Sequence, residues 1–135
     1  MKRQMINPEG TGDLYDRLHL SSATRVGDTI WVSGQVGVDR ATGAAGQGME
    51  EQARLAFENL KYVLEAAGAD MADIVEIMTF HLDMHGSDIQ EFVKVKDEFL
   101  TSDYPSWTGV GVTQLARPEF KIEIRAVAVA GCGAD

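Results

Sequence analysis

Glu123 stands in the run Phe120-Lys-Ile-Glu-Ile-Arg-Ala126, with Lys121 two residues before it and Arg125 two residues after. In an extended chain that spacing puts all three on one face. A carboxylate so placed is either neutralised within a row of mixed charge on a wet strand or serves as an acid/base group in the wall of a cleft. His81, Asp83 and His85 repeat the same spacing, and on a continuing strand they would offer nitrogen and oxygen donors to a metal. Gly86 follows at once, so the strand is expected to end near Asp83 and scatter the three, and no metal site is expected. A third candidate is the glycine-rich stretch from Gly43 to Gly48 ahead of a helix. It lacks both the Gly-Lys-Ser/Thr ending of a phosphate loop and the dinucleotide fingerprint.

The elements that must position these residues follow from periodicity. Phe120, Ile122, Ile124, Ala126, Ala128 and Ala130 alternate with Lys121, Glu123, Arg125, Val127 and Val129, which predicts a strand with one wholly apolar face. Pro105 and the Arg117-Pro118-Glu119 turn predict a β-hairpin over Tyr104–Ala130. A second strand is predicted over Thr29–Val38, with Ile30, Val32, Val36 and Val38 on one face and Trp31, Ser33, Gln35 and Gly37 on the other. Gly34 interrupts it, marking a bulge or a close approach to the backbone. A short extended segment is expected over Leu18–Arg25, and a strand apolar on both faces over Asp73–Asp83, with Ile74, Met78, Phe80 and Leu82 against Val75, Ile77 and Thr79.

Two helices complete the set. The first carries Met49, Ala53, Ala56, Phe57, Leu60, Val63, Leu64 and Ala67 at three- and four-residue steps and stops at Gly68. The second runs from Ser87, a good N-cap, to Leu100. The expected subunit is an α+β domain, 1–135, with a mixed β-sheet of about six strands and two helices packed on one face, an irregular arm over 1–17 and a tail over 131–135. The uncovered face, carrying Trp31, Ser33, Gln35, Val75, Ile77, Thr79 and Glu123, is too apolar to stay wet. A closed homo-oligomer with clefts between subunits is the simplest solution.

Composition narrows the function. At 135 residues, 44% hydrophobic and 24% charged, the chain has the make-up of one globular domain. Its 21 acidic and 12 basic residues give a net charge of -9, which argues against nucleic acid as a partner. The single cysteine, Cys132, excludes an intrachain disulfide and fits a reducing cytoplasm. No apolar run approaches membrane-spanning length, so no membrane partner is expected.

Across the chain, Arg25-Val26-Gly27-Asp28, Val32-Ser33-Gly34-Gln35-Val36-Gly37, Gln52, Asn59-Leu60, Val63-Leu64, Ala67-Gly68, Asp73-Ile74-Val75, Leu82-Asp83-Met84, Tyr104-Pro105 and Ile122-Glu123-Ile124 before Ala126-Val127-Ala128 occur in order. This pattern resembles the RidA/YjgF family from about Leu18 to Ala130. The resemblance implies a chorismate-mutase-like subunit, a homotrimer with three intersubunit clefts, and hydrolysis of reactive enamines and imines such as 2-aminoacrylate, with no cofactor and no metal.

Archetypal active members carry Pro-Ala-Arg where this chain has Pro105-Ser106-Trp107, and that arginine forks onto the substrate carboxylate. Indole offers one neutral donor in place of a charged bidentate pair. By the same alignment Leu20 replaces a pocket tyrosine, Val93 an asparagine and Gly109 a small polar or cysteine position, while Ser33, Gly34 and Glu123 are retained. The resemblance therefore implies Glu123 as the water-activating residue and Trp107, Ser33, Gly34, Leu20, Val93, Gly109 and Arg125 as the substrate-binding set. The expected small-molecule substrate is larger, flatter or less anionic than 2-aminoacrylate. Two other readings are a non-catalytic binding or chaperone-like trimer, with Glu123 in an interfacial ion pair, and a ribonuclease, which the net charge and the lack of a catalytic histidine pair disfavour.

Overall fold

A computed structural model describes residues 1–11 and 13–133. Its elements are β1 (Gln4–Ile6), α1 (Leu14–Leu18), β2 (Ala23–Val26), β3 (Thr29–Val36), α2 (Gly48–Ala66), a 3-10 turn (Met71–Asp73), β4 (Ile74–His81), α3 (Ser87–Phe99), β5 (Ser106–Gly111) and β6 (Ile122–Val129). One six-stranded mixed sheet has the order β1-β2-β3-β6-β4-β5. The expected α+β architecture is thus present. The arm over 1–17 is more ordered than expected, supplying β1 on β2 and the short α1, and the extended segment expected from Leu18 starts only at Ala23.

The core forms where apolar periodicities meet. Phe57, Leu60 and Leu64 of α2 and Phe92 and Val95 of α3 are buried against Ile30, Val32, Ile122, Ile124, Ala126 and Ala128 of the central strands. Phe57 stacks on Phe92 and Phe99, with ring centroids 5.8 and 5.2 Å apart, tying the two helices into one layer. Gln52 is buried in α2 and fully used: its Nε2 donates to Gly46 O and Glu119 O, and its Oε1 accepts from Lys121 N. The glycine-rich loop and the turn before β6 are held by this one side chain. Asn59 does the same for the end of β3, donating to Val36 O and Val38 O.

The hairpin expected over Tyr104–Ala130 does not form. β5 pairs parallel to β4, whereas β6 inserts antiparallel between β3 and β4. The connection over 112–121 is ten residues long, well beyond the roughly two to five of a hairpin loop, and α3 is the crossover that parallel pairing requires. β6 suits a central place because its helix-facing side is apolar throughout.

Two bulges change the expected faces. On β4 the pairing with β6 steps from Ile74↔Ala128 to Glu76↔Val127, making Val75 an extra residue. Ile77, Thr79 and His81 are consequently buried under the helices, and Met78 and Phe80 turn to the open face, the reverse of the parity expected for Ile77 and Thr79. On β3 the step from Val32↔Ala126 to Gln35↔Ile124 leaves Ser33 and Gly34 opposite a single residue, Arg125. At the start of α3 the cap is Gly86, not Ser87, and no side chain caps the helix end. Asp83 holds the turn that leads into the helix, its Oδ1 accepting from His85 N and Gly86 N at 3.0 Å.

Candidate active site

Gly34 and Glu123 form the centre of the open face. The β3 bulge brings the glycine backbone so close to β6 that a Cβ at position 34 would collide with the Glu123 carboxylate. The interruption in the strand is therefore both a bulge and a close approach, and what approaches is the carboxylate itself.

Glu123 is half-buried, and burial raises its pKa above the ordinary glutamate value with no donor or cation offsetting the effect. Among the described residues it joins no ion pair. The row of mixed charge foreseen on this strand does not assemble. Lys121 reaches away to Asp88 of α3, with Nζ 3.2 Å from Oδ2, and Arg125 is exposed and unpaired among the described residues. A carboxylate left unpaired and partly desolvated holds a proton more readily than an ordinary glutamate and can take one from water and return it.

Ser33 is fixed beside Gly34, its Oγ donating to Ser21 O at 2.7 Å. Leu20, Ser33 and Gly34 line a cavity of about 240 Å³, with Arg17 and Arg40 also in its wall. Glu123 is not part of that lining, although Gly34 touches both.

Trp107, Gly109 and Val93 lie elsewhere. Trp107 pairs with Ile77 across β4–β5, and its indole packs against α3, 6.0 Å from the Phe92 ring. It is therefore on the helix side, whereas Glu123 is on the open side. Counting from β6 through β4 to β5, the two are also two strand spacings apart, about 10 Å laterally. Val93 is on α3, partly buried against the core and one turn before Lys96. One copy of the chain does not gather the expected substrate-binding residues around Glu123.

At the β5 edge the structure adds residues that strand alternation alone did not suggest. Trp107 Nε1 donates to Thr79 Oγ1 at 2.8 Å, and the same hydroxyl lies 2.7 Å from His81 Nε2. Thr79 and His81 are fully buried, and burial lowers the His81 pKa, keeping the ring neutral. His81 Nδ1 is buried without a hydrogen-bond partner. Lys96 Nζ lies 5.2 Å from the centre of the Trp107 ring. The bulge at Val75 hid this group from the sequence, since it moves Thr79 to the side opposite the expected one. Of the three residues spaced for a metal, His81 is in the core, Asp83 caps a turn and His85 is exposed, so they do not converge. No helix is long and apolar enough to cross a membrane, among the described residues.

Comparison with known proteins agrees with this architecture. The chain is 40% identical over 125 residues to the RutC family protein YjgH of Escherichia coli K12, covering 92% of this chain and 94% of the relative. It is 34% identical over 110 residues to a 2-iminobutanoate/2-iminopropanoate deaminase of Dermatophagoides farinae, covering 81% and 84% of the two chains. The crystal structure of RidA from an Antarctic Psychrobacter superposes with a TM-score of 0.83 at 31% identity, covering 93% of this chain and 98% of that one. The sequence profile of the Endoribonuclease L-PSP family matches residues 14–130, and with the RidA/YjgF motifs in their expected order the chain belongs to this family.

Proposed function

We propose that the chain is a hydrolytic deaminase of small imines or enamines, with Glu123 activating water. The observation that carries this reading is the Glu123 carboxylate, partly desolvated, unpaired among the described residues and set against the bare backbone of Gly34. The name of the Dermatophagoides relative, a 2-imino acid deaminase, supports the reaction class. Water attacks the imine carbon as Glu123 takes one of its protons, forming a carbinolamine. The protonated Glu123 then gives that proton to nitrogen. Glu123 next takes the remaining O–H proton and passes it to the same nitrogen, and the C–N bond breaks with its electron pair leaving on ammonia as the C=O bond closes.

The working site is the cleft of a homotrimer, where the β5 edge of one copy meets the Glu123 face of the next. Support comes from the separation of Trp107 and Glu123 onto opposite sides of one subunit and from the apolar open face carrying Trp31, Met78, Phe80 and Val127. Trp107, Gly109 and Val93 then enter from one subunit, and Ser33, Gly34, Leu20, Arg125 and Glu123 from its neighbour. With Trp107 as a wall, the substrate is larger and flatter than 2-aminoacrylate.

The test is keto-acid release from imines generated in situ by an amino-acid oxidase, for wild type, Glu123→Gln and Trp107→Arg. Acceleration by wild type that is lost in Glu123→Gln is expected. Wild type silent and Trp107→Arg active would place the natural ligand outside the small imino acids. Silence in all three would favour a binding protein without turnover.

A further inference from the structure

The β5 edge holds a polar arrangement that hydrolysis at Glu123 does not use. β5 is the last strand of the sheet, so the outer side of Trp107 has no strand beside it, and its side chain is 40% exposed. An exposed indole normally samples several rotamers. This one is tethered through Nε1 to the buried Thr79 hydroxyl, which is itself held by the buried His81 ring, and Phe92 meets that ring edge-on at 4.9 Å. Gly109 leaves the tether uncrowded: a Cβ there would be 3.2 Å from Thr79 Oγ1 and 3.5 Å from Trp107 Nε1.

Beside this fixed wall lies a cation. The Lys96 side chain is only 12% exposed, laid along the indole with its ammonium toward the ring. Its ion partner is the adjacent Asp97, at 2.8 Å and 61% exposed. Residues at successive helix positions do not face each other, and the Asp97 carboxylate is largely in water, so this pair is readily exchanged for another anion. An ammonium has three donors, and Asp97 takes one.

We propose that Trp107 and Lys96 form a recognition site for aromatic carboxylates, with the ligand ring on the indole and its carboxylate on the Lys96 ammonium. Thr79 and His81 are positioning residues that hold the indole for stacking. The inference deepens the deaminase reading, whose substrate would then be a 2-imino acid with an aromatic side chain, bound through a lysine on α3 instead of an arginine on β5. In a chain of net charge -9 a local cation of this kind offsets the repulsion an anionic ligand would otherwise meet.

The chain has two tryptophans, so a Trp31→Phe background leaves Trp107 as the sole indole reporter. Its fluorescence is titrated with 3-phenylpropionate, propionate and 3-phenylpropan-1-ol at low salt. The aromatic acid is expected to bind at least about tenfold more tightly than either the ring-free acid or the uncharged alcohol, a difference of about 1.4 kcal/mol. Lys96→Met should erase the acid-over-alcohol preference and Lys96→Arg should keep it. Thr79→Val should weaken both ring-bearing ligands, with Thr79→Ser restoring them.

An unchanged acid-over-alcohol ratio in Lys96→Met, or propionate binding as well as 3-phenylpropionate, overturns the inference. The titration needs no turnover, so the two readings fail separately. A protein that binds the aromatic acid as described but hydrolyses no imine loses only the deaminase reading. One that hydrolyses imines without this discrimination loses only the aromatic-acid site.

Discussion

The open face around Glu123 and the edge around Trp107 handle polar groups in opposite ways. At the open face a carboxylate is partly desolvated yet has no ion-pair partner among the described residues, and the nearby Lys121 turns instead to Asp88. At the edge an indole that water could have satisfied is bonded inward to Thr79 and backed by His81. An unpaired, desolvated acid holds its proton more tightly and can exchange it, which suits chemistry. A tethered aromatic group loses its alternatives and suits recognition, because its rotamer entropy is spent in folding and not again in binding. The fold separates the candidate reactive carboxylate from the tethered indole, on opposite sides of the sheet.

Substitutions can break this contrast at either pole. The largest effect is expected from Glu123→Gln, which keeps the shape but removes the proton acceptor, lowering kcat for imine hydrolysis by roughly 100-fold or more in the keto-acid assay with little change in KM. Gly34→Ala comes next. Its methyl group occupies the space of the carboxylate and forces β3 and β6 apart or turns Glu123 away, at a cost of about 2 kcal/mol in chemical denaturation together with a loss of turnover.

Thr79→Val leaves the indole N–H to water and His81 with both ring nitrogens unpartnered. A loss of about 1–2 kcal/mol is expected, with a more mobile indole by fluorescence anisotropy in the Trp31→Phe background. The smallest effect concerns pH. Because burial raises the Glu123 pKa in the folded chain, the folded state is favoured while the group is protonated. That advantage is fully present below the unfolded-state pKa and is lost as pH rises through the folded one. Glu123→Gln should therefore gain stability relative to wild type between acid and neutral pH in denaturant melts. The hydrolytic rate of wild type should rise over a limb placed above the ordinary glutamate range.

Much of the architecture was legible in the sequence because the two long helices and β6 advertise their faces by period. The stripe from Met49 to Ala67 and the alternation from Phe120 to Ala130 placed the core correctly. Glu123 was legible as a fork between a neutralised charge and an acid/base group, and within one copy of the chain Lys121 turns to Asp88, so the charge row does not assemble there. Trp107 was legible as a departure from the family pattern, but its side of the sheet was not. The hairpin expectation failed since proline and turn punctuation say where strands stop, not which strands pair.

By itself the sequence determined the two long helices, the long strands and the family, and it singled out Glu123 as the candidate acid/base residue. These depend on local periodicity and on ordered motifs along the chain. Tertiary structure alone decided which residues face each other. A single extra residue at Val75 and another at the Ser33–Gly34 bulge reverse side-chain parity over everything beyond them, and insertion of β6 beside β4 sends Trp107 to the edge. Such shifts arise from pairing between strands distant in sequence, where the best register is set by burial across the whole sheet and no local pattern records it.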